Sequence, residues 1–218
     1  MSTRLGSFAL ILLLGLGLGA TVQAQVTGLP VRNAGLTGGL SIGGEVGFPN
    51  ADYGKGTAFG ARAALGLGPI GFSAVVSHWN PRGPGDALNA VGGFVNLKVF
   101  GGPLIPLSVT LQGGAEYASL DGTKGLHVPV GLGIALRIPN PALAIKPWIA
   151  PRLDMFRTSG DGIDSNTEKN FAISGGVDFS LLGGIGFSFA YDRVWAGDGV
   201  NPSVFSAGAN YAIKIPGL

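Results

Sequence analysis

Cysteine is absent from the 218 residues, which excludes a lipid-attached N-terminus, a disulfide framework and any thiol chemistry. Charge is scarce: Asp, Glu, Lys and Arg make up 12% of the chain, where a soluble domain carries about 25%. With a mean hydropathy of +0.40 there is too little charge to coat a water-facing surface. Only two histidines are present, so a transition-metal site would have to be built mostly from carboxylates. No Lys/Arg cluster exists to neutralise a row of phosphates, which argues against nucleic acid as a partner.

Long apolar runs are also missing after residue 20. The one run, 8–18, follows Arg4 and precedes "ATVQAQ", where Val22 and Ala24 fit the small residues of a cleavage site. Residues 1–24 are therefore expected to be a secretory signal peptide cut before Gln25. A single membrane anchor needs about 20 apolar residues, more than this run supplies. Loss of the leader takes Arg4 with it and brings the 14 basic residues to within one of the 12 acidic, so the pI near 9.0 belongs to an almost balanced chain.

What the sequence has in quantity is glycine, 40 residues of it, and an alternation of period two. In "GLHVPVGLGIALRIPNP" the even positions 126–138 are all Leu, Val or Ile, while the odd ones read His127, Pro129, Gly131, Gly133, Ala135 and Arg137. Ten such segments follow one another: 39–48, 57–67, 70–79, 90–100, 105–117, 126–138, 145–156, 171–181, 185–195 and 204–213. Each is near the roughly 9 to 11 residues that a tilted membrane strand needs. The connections alternate too. "GLGP" (66–69), "GGP" (101–103), "PNPA" (139–142) and "GG" (183–184) are short and uncharged. Between them lie the longer, charged 49–56, 80–87, 120–125, 158–169 and 196–202. Both ends of the segment array then fall on the short-turn side.

A soluble sandwich or lipocalin-like barrel would need Lys, Glu and Thr on the face opposite the aliphatics. That face is instead Gly, Ala and Ser with ten charges: Glu45, Arg62, Lys98, Glu116, Arg137, Lys146, Arg152, Asp154, Asp178 and Asp192. Five of each sign in a small-residue setting suit a confined, paired lumen, so the aliphatics should face lipid. Backbone in hydrocarbon has no water to bond, so such strands must close into a barrel. Aromatics at strand ends (Phe48, Trp79, Phe100, Tyr117, Phe156, Phe171, Tyr191, Trp195) fit interfacial girdles. Pro147 and Pro151 predict a bulge or bend in the seventh segment, Phe94 and Phe100 fall on the inner face, and Arg193 falls outward near the loop end.

Leader, ten alternating segments and turn/loop asymmetry together resemble the small, single-chain bacterial outer-membrane β-barrel proteins. The resemblance implies an all-β transmembrane antiparallel up-and-down barrel over 39–218, of ten strands with eight as the alternative, preceded by a short periplasmic segment over 25–38. It implies short periplasmic turns, longer extracellular loops, outer-membrane lipid and the barrel-insertion machinery as partners, and small solutes if the lumen conducts, as in a porin-like channel. Members of that class end in an aromatic residue, typically Phe, whereas this chain ends "YAIKIPGL".

For chemistry, Glu116, His127 and Asp154 are expected to point inward near the loop-side mouth with Asp192 nearby, and a histidine between carboxylates can act as a general base. Ten-stranded outer-membrane proteases use Asp and His at that level, but no motif transfers residue by residue. The plainer expectation is a polar network at the mouth. Glu45, Arg62, Lys98, Arg137, Lys146, Arg152 and Asp178 are expected to line the lumen, with Arg62, Phe94, Trp148 and Arg152 as its possible filling. His78, beside Trp79 at a loop, reads as interfacial. The acidic spacing in 158–169 lacks an EF-hand layout, and no strand-turn-helix unit accompanies the glycine repeats, so no metal and no cofactor are expected. The leading function is a non-enzymatic outer-membrane barrel, a narrow pore or a structural and surface-interaction protein. An outer-membrane hydrolase of lipid or peptide and a secreted soluble ligand-binding barrel are the alternatives.

Overall fold

The computed structural model describes residues 27–36, 38–83, 85–102, 104–120, 122–138, 140, 142–160, 163–197, 199–213 and 215. The expected leader, 1–24, lies outside the described residues. Ten strands run β1 (Gly39–Pro49), β2 (Thr57–Leu67), β3 (Ile70–Asn80), β4 (Leu88–Phe100), β5 (Leu107–Leu120), β6 (Thr123–Leu136), β7 (Leu143–Gly160), β8 (Ile163–Leu181), β9 (Ile185–Trp195) and β10 (Ser203–Ile213). Each pairs antiparallel with its sequence neighbours, and β1 closes on β10 from Leu40↔Ile213 to Pro49↔Val204. The sheet is thus a closed ten-stranded barrel with no free edge.

Orientation follows the alternation. In β6 Leu126, Val130, Leu132, Ile134 and Leu136 are exposed on the outer wall, while His127, Pro129, Gly133 and Ala135 are buried within. The outer surface elsewhere carries Ile42, Phe59, Val76, Val91, Leu111, Ile149, Phe187 and Tyr211, an apolar belt of a kind that water-facing surfaces do not carry. Phe48, Phe100, Tyr117, Phe171, Tyr191 and Trp195 are exposed toward the ends of this belt. Trp79 and Phe156 instead face the interior, where Trp79 packs edge-on to Tyr53 and Phe156 stacks on His127. Phe94 points inward as expected, but Phe100 does not, because a bulge between Lys98 and Phe100 reverses the pleat there.

Two expectations about connections are corrected. The segments 120–125 and 158–169 are mostly strand among the described residues: β5 runs to Leu120 and β6 starts at Thr123, and β7 and β8 extend to Gly160 and Ile163. The apolar alternation stops earlier because these residues are mostly polar or glycine, yet the ladder continues through Arg157↔Thr167 and Thr158↔Asn166. No register shift occurs at Pro147 or Pro151. The prolines are accommodated by lost pairs, as between Gly131↔Arg152 and Ile134↔Ile149 in the β6–β7 ladder.

The largest correction concerns the described part, 27–36, of the segment expected over 25–38. Residues 27–36, expected in the periplasm, run inside the barrel from the loop end to the turn end before the chain enters β1. Leu29 and Val31 are fully or almost fully buried. The wall is cut away to admit them: a Cβ on Gly47 would stand 2.1 Å from the Gly28 carbonyl oxygen, and one on Gly133 would stand 2.3 Å from Asn33 Cγ. The physical reason for the placement is that a ten-stranded lumen is too wide for short side chains alone to fill and too narrow to leave buried carboxylates hydrated. Gly47→Val should expel this segment. Trypsin should leave the bond after Arg32 intact in the folded wild type and cleave it at least tenfold faster in the variant, while the barrel keeps its β-sheet circular dichroism.

Candidate functional site

The four residues singled out for chemistry do converge. Glu116 on β5 and His127 on β6 are directly paired in the ladder, and Pro129 of β6 pairs with Asp154 of β7. This neighbouring of three strands follows from hairpin connectivity, which sets inward side chains of adjacent strands side by side. His127 Nδ1 stands 3.5 Å from Glu116 Oε2, and Nε2 stands 3.1 Å from Asp154 Oδ1. The Arg152 guanidinium extends the chain of charge. Its Nε donates to Asp154 at 2.9 Å, its Nη2 donates to Asp192 at 2.9 Å, and its Nη1 donates to Ser174 Oγ at 2.8 Å while lying 2.9 Å from the other Asp192 oxygen.

All of these groups are buried, with Asp154 and Asp192 at 0% exposure. What covers them is the lumenal segment. Thr27 donates to Glu116 Oε1 from both its backbone N (2.7 Å) and Oγ1 (2.8 Å). Val31 N donates to Asp192 at 3.1 Å, and Ser174 Oγ donates to the Val31 carbonyl at 2.6 Å. Gly28 N donates to Tyr53 Oη at 2.6 Å; burial, with nearby Glu116 adding to it, holds that phenol well above the ordinary tyrosine range. Both His127 ring nitrogens therefore face carboxylates, and its ring face is stacked on Phe156 at 5.1 Å. The arrangement can hold charge and fix the segment. It leaves no ring nitrogen directed at an open cleft, as a general base toward water requires.

A second network occupies the turn-side half. Arg32, from the segment, is ion-paired with Asp178 and lies 3.7 Å from Glu45. It donates to Ser188 Oγ at 2.6 Å and places its guanidinium 5.8 Å from the Trp148 ring centroid. Arg62 pairs with Glu45 at 3.0 Å, and Lys146 stands 3.9 Å from Asp178. Asn33 accepts from Thr110 Oγ1 at 2.6 Å, and Gln112 donates to the Arg32 carbonyl at 2.8 Å.

Of the expected lumen-facing set, Glu45, Arg62, Lys146, Arg152 and Asp178 thus meet inside. Arg137 does not: β6 ends at Leu136, and Arg137 is an exposed residue whose backbone N–H donates to the Pro106 carbonyl at the turn-side rim. Lys98 is half-buried beside the β4 bulge and has no ion pair among the described residues. His78 is exposed and hydrogen-bonded to Asn89. Arg193 lies over Trp195 on the outer wall at the loop end. Arg32 was not anticipated. The strand charges already balance by count, so no unpaired acid called for a cation from outside the strands.

The sequence matches no protein-family model and no curated protein. Solved structures do align. The β domain of the Bordetella autotransporter BrkA matches at a TM-score of 0.51 and 19% identity, over 78% of this chain and 75% of that one. The fold is that of the outer-membrane β-barrels. Outer membrane protease OmpT from Escherichia coli aligns with a TM-score of 0.43 and 10% identity over 81% and 94% of the two chains. Ail, the attachment invasion locus protein of Yersinia pestis, aligns at 0.37 and 14% over 81% and 100%.

Removing the central guanidinium should be severe. Arg152→Leu leaves Asp154 and Asp192 buried without their main counter-charge, a change that costs about 3–5 kcal/mol. Urea unfolding of the detergent-solubilised barrel should show that loss. Ser174→Ala, which removes two hydrogen bonds and no charge, should cost about 1–3 kcal/mol.

Proposed function

We propose that this chain is a bacterial outer-membrane β-barrel, exported by a leader cut before Gln25 and inserted by the barrel-insertion machinery, whose lumen is closed by its own N-terminal segment. In this reading it works as a structural and surface-interaction protein through its loop-side face, and solute passage is not its resting activity. The single observation that carries the reading is the occupation of the lumen by residues 27–36, from Thr27 on Glu116 to Asn33 on Thr110. The outward apolar belt supports a bilayer location, since each outer-wall aliphatic would otherwise face water at a cost of about 25 cal/mol per Å² of apolar surface.

Against hydrolysis stands the same cover: substrate at His127 would have to displace Thr27 and break the two bonds it makes to Glu116. Against a soluble ligand carrier stands the polar, salt-bridged interior combined with the apolar exterior, the inverse of what an aqueous carrier needs.

Planar-bilayer recording on the full mature chain tests the closed-barrel reading. The wild type should give no stepwise conductance above the lipid background, and deletion of residues 27–36 should produce it. Stable channels from the wild type would replace this reading with that of a narrow pore. Recovery of the protein in the soluble periplasmic or secreted fraction, rather than with outer membranes, would remove both.

A further inference from the structure

Outside the barrel, at the loop-side end of the apolar belt, the wall over β2–β5 is hollowed into an open recess of about 470 Å³. Its lining changes character from one outward-facing row to the next. Val76, Val91 and Tyr117 are paired across β3, β4 and β5 and belong to the belt. The next row toward the loops is His78, Asn89 and Ser119, all three exposed on the outer wall. His78 Nδ1 stands 2.8 Å from Asn89 Oδ1, which turns the Asn89 amide nitrogen away from the ring. Neither that nitrogen nor Ser119 Oγ has a hydrogen-bond partner among the described residues. Acyl chains cannot satisfy such groups, whereas a polar headgroup can.

Cations continue the polar row. Ser119 pairs in the ladder with Lys124, and Tyr117 pairs with Leu126, which in turn pairs with Arg157. Lys169 follows on β8, opposite Met155 and so diagonal to Arg157. Diagonal neighbours lie about 7–8 Å apart, within reach of side chains this long. All three are exposed on the face that carries Leu126 and Met155, and none has an ion pair among the described residues. The acids nearby do not offset them. Glu168 pairs with Phe156 and lies on the lumen face, Asp164 stands past the register shift at the β7–β8 hairpin, and Asp86 shares its connection with Arg82. Unpaired cations at the edge of an apolar belt attract anionic headgroups.

We propose that the recess and these cations form a binding site for one lipid of the loop-side leaflet whose headgroup carries a phosphate and free hydroxyls. The phosphate sits between Lys124 and Arg157, with Lys169 adding to the positive field. One headgroup hydroxyl accepts from Asn89 Nδ2, another donates to Ser119 Oγ, and the acyl chains descend over Val76 and Val91. The proposal rests on the bilayer location given above. It adds that this side of the wall selects a lipid class, where the rest of the belt meets any acyl chain.

The test uses the full mature chain refolded in detergent, given equal amounts of phosphatidylglycerol and phosphatidylcholine of distinguishable mass, and analysed by native mass spectrometry. Phosphatidylglycerol is expected to be retained at one per chain and at least tenfold over phosphatidylcholine, whose phosphate is offset by choline and whose headgroup has no hydroxyl. Lys124→Gln combined with Arg157→Gln should reduce that preference at least fivefold. Arg137→Gln, which removes an exposed cation from the turn-side rim, should leave it unchanged. Asn89→Leu should weaken retention of phosphatidylglycerol but not of phosphatidic acid, which lacks the glycerol hydroxyls, and it decides alone should the double variant fail to fold. Equal retention of phosphatidylglycerol and phosphatidylcholine by the wild type would overturn the proposal, as would a loss in Arg137→Gln as large as in the double variant. Displacement of the lipid by soluble glycerol phosphate would overturn the assignment to a lipid. A chain recovered with outer membranes that shows no preference fails this proposal alone and leaves the closed barrel standing.

Discussion

The constraint on which the rest of this structure depends is the pairing of buried charge. Five carboxylates, Glu45, Glu116, Asp154, Asp178 and Asp192, project into a lumen from which bulk water is largely withdrawn. A carboxylate left alone in such a place costs several kcal/mol even after relaxation. The strands supply Arg62, Lys146 and Arg152 inside, with His127 between two of the acids. Lys98 and Arg137, which would complete the balance by count, sit at the rim. Arg32 takes up the difference, and it can do so only if residues 27–36 come inside. The segment brings Thr27 N and Val31 N as well, two backbone donors aimed at carboxylates.

Much of the fold was legible because its signals are local. Period-two aliphatics fix which wall is outside, and turn residues fix where strands reverse; five strands, β1, β2, β3, β9 and β10, start and end within one residue of the sequence reading. The failures share a cause. In 120–125 and 158–169 polar residues pair as strands, so the ladder outlasts the hydropathy pattern. At Phe100 a single bulge inverts the face, which periodicity cannot anticipate. The convergence of Glu116, His127 and Asp154 could be read from hairpin order alone. Their burial could not, because the cover comes from a segment with no periodicity of its own, and a glycine that admits it, such as Gly47, looks like any other glycine in the sequence.

The two halves of the lumen differ in sign. Toward the loops, Glu116, Asp154 and Asp192 outnumber Arg152 even with His127 charged; toward the turns, Arg32, Arg62 and Lys146 outnumber Glu45 and Asp178. The segment matches this polarity. Its backbone donors meet the acidic half and its guanidinium spans the acids at the start of the basic half, so reversing its direction would set Arg32 and the amide donors against the wrong partners. Direction is thus specified electrostatically as well as by the covalent link to β1.

The same contacts constrain the order of assembly. Residues 27–36 bond to Gln112 and Thr110 on β5, Ser174 and Asp178 on β8, and Ser188 and Asp192 on β9, partners up to 161 residues away. None of those sites faces the segment until β5 through β9 have curled around it, and β10 must then close on β1 behind it. Seating therefore depends on the far wall: without it the segment has nowhere to place Arg32, while a barrel closed without the segment keeps its ladders but leaves carboxylates less well paired. Long-range closure of this kind is entropically slow, so the segment is best seen as the last part of the core to settle and the one whose loss the remainder would feel as exposed charge.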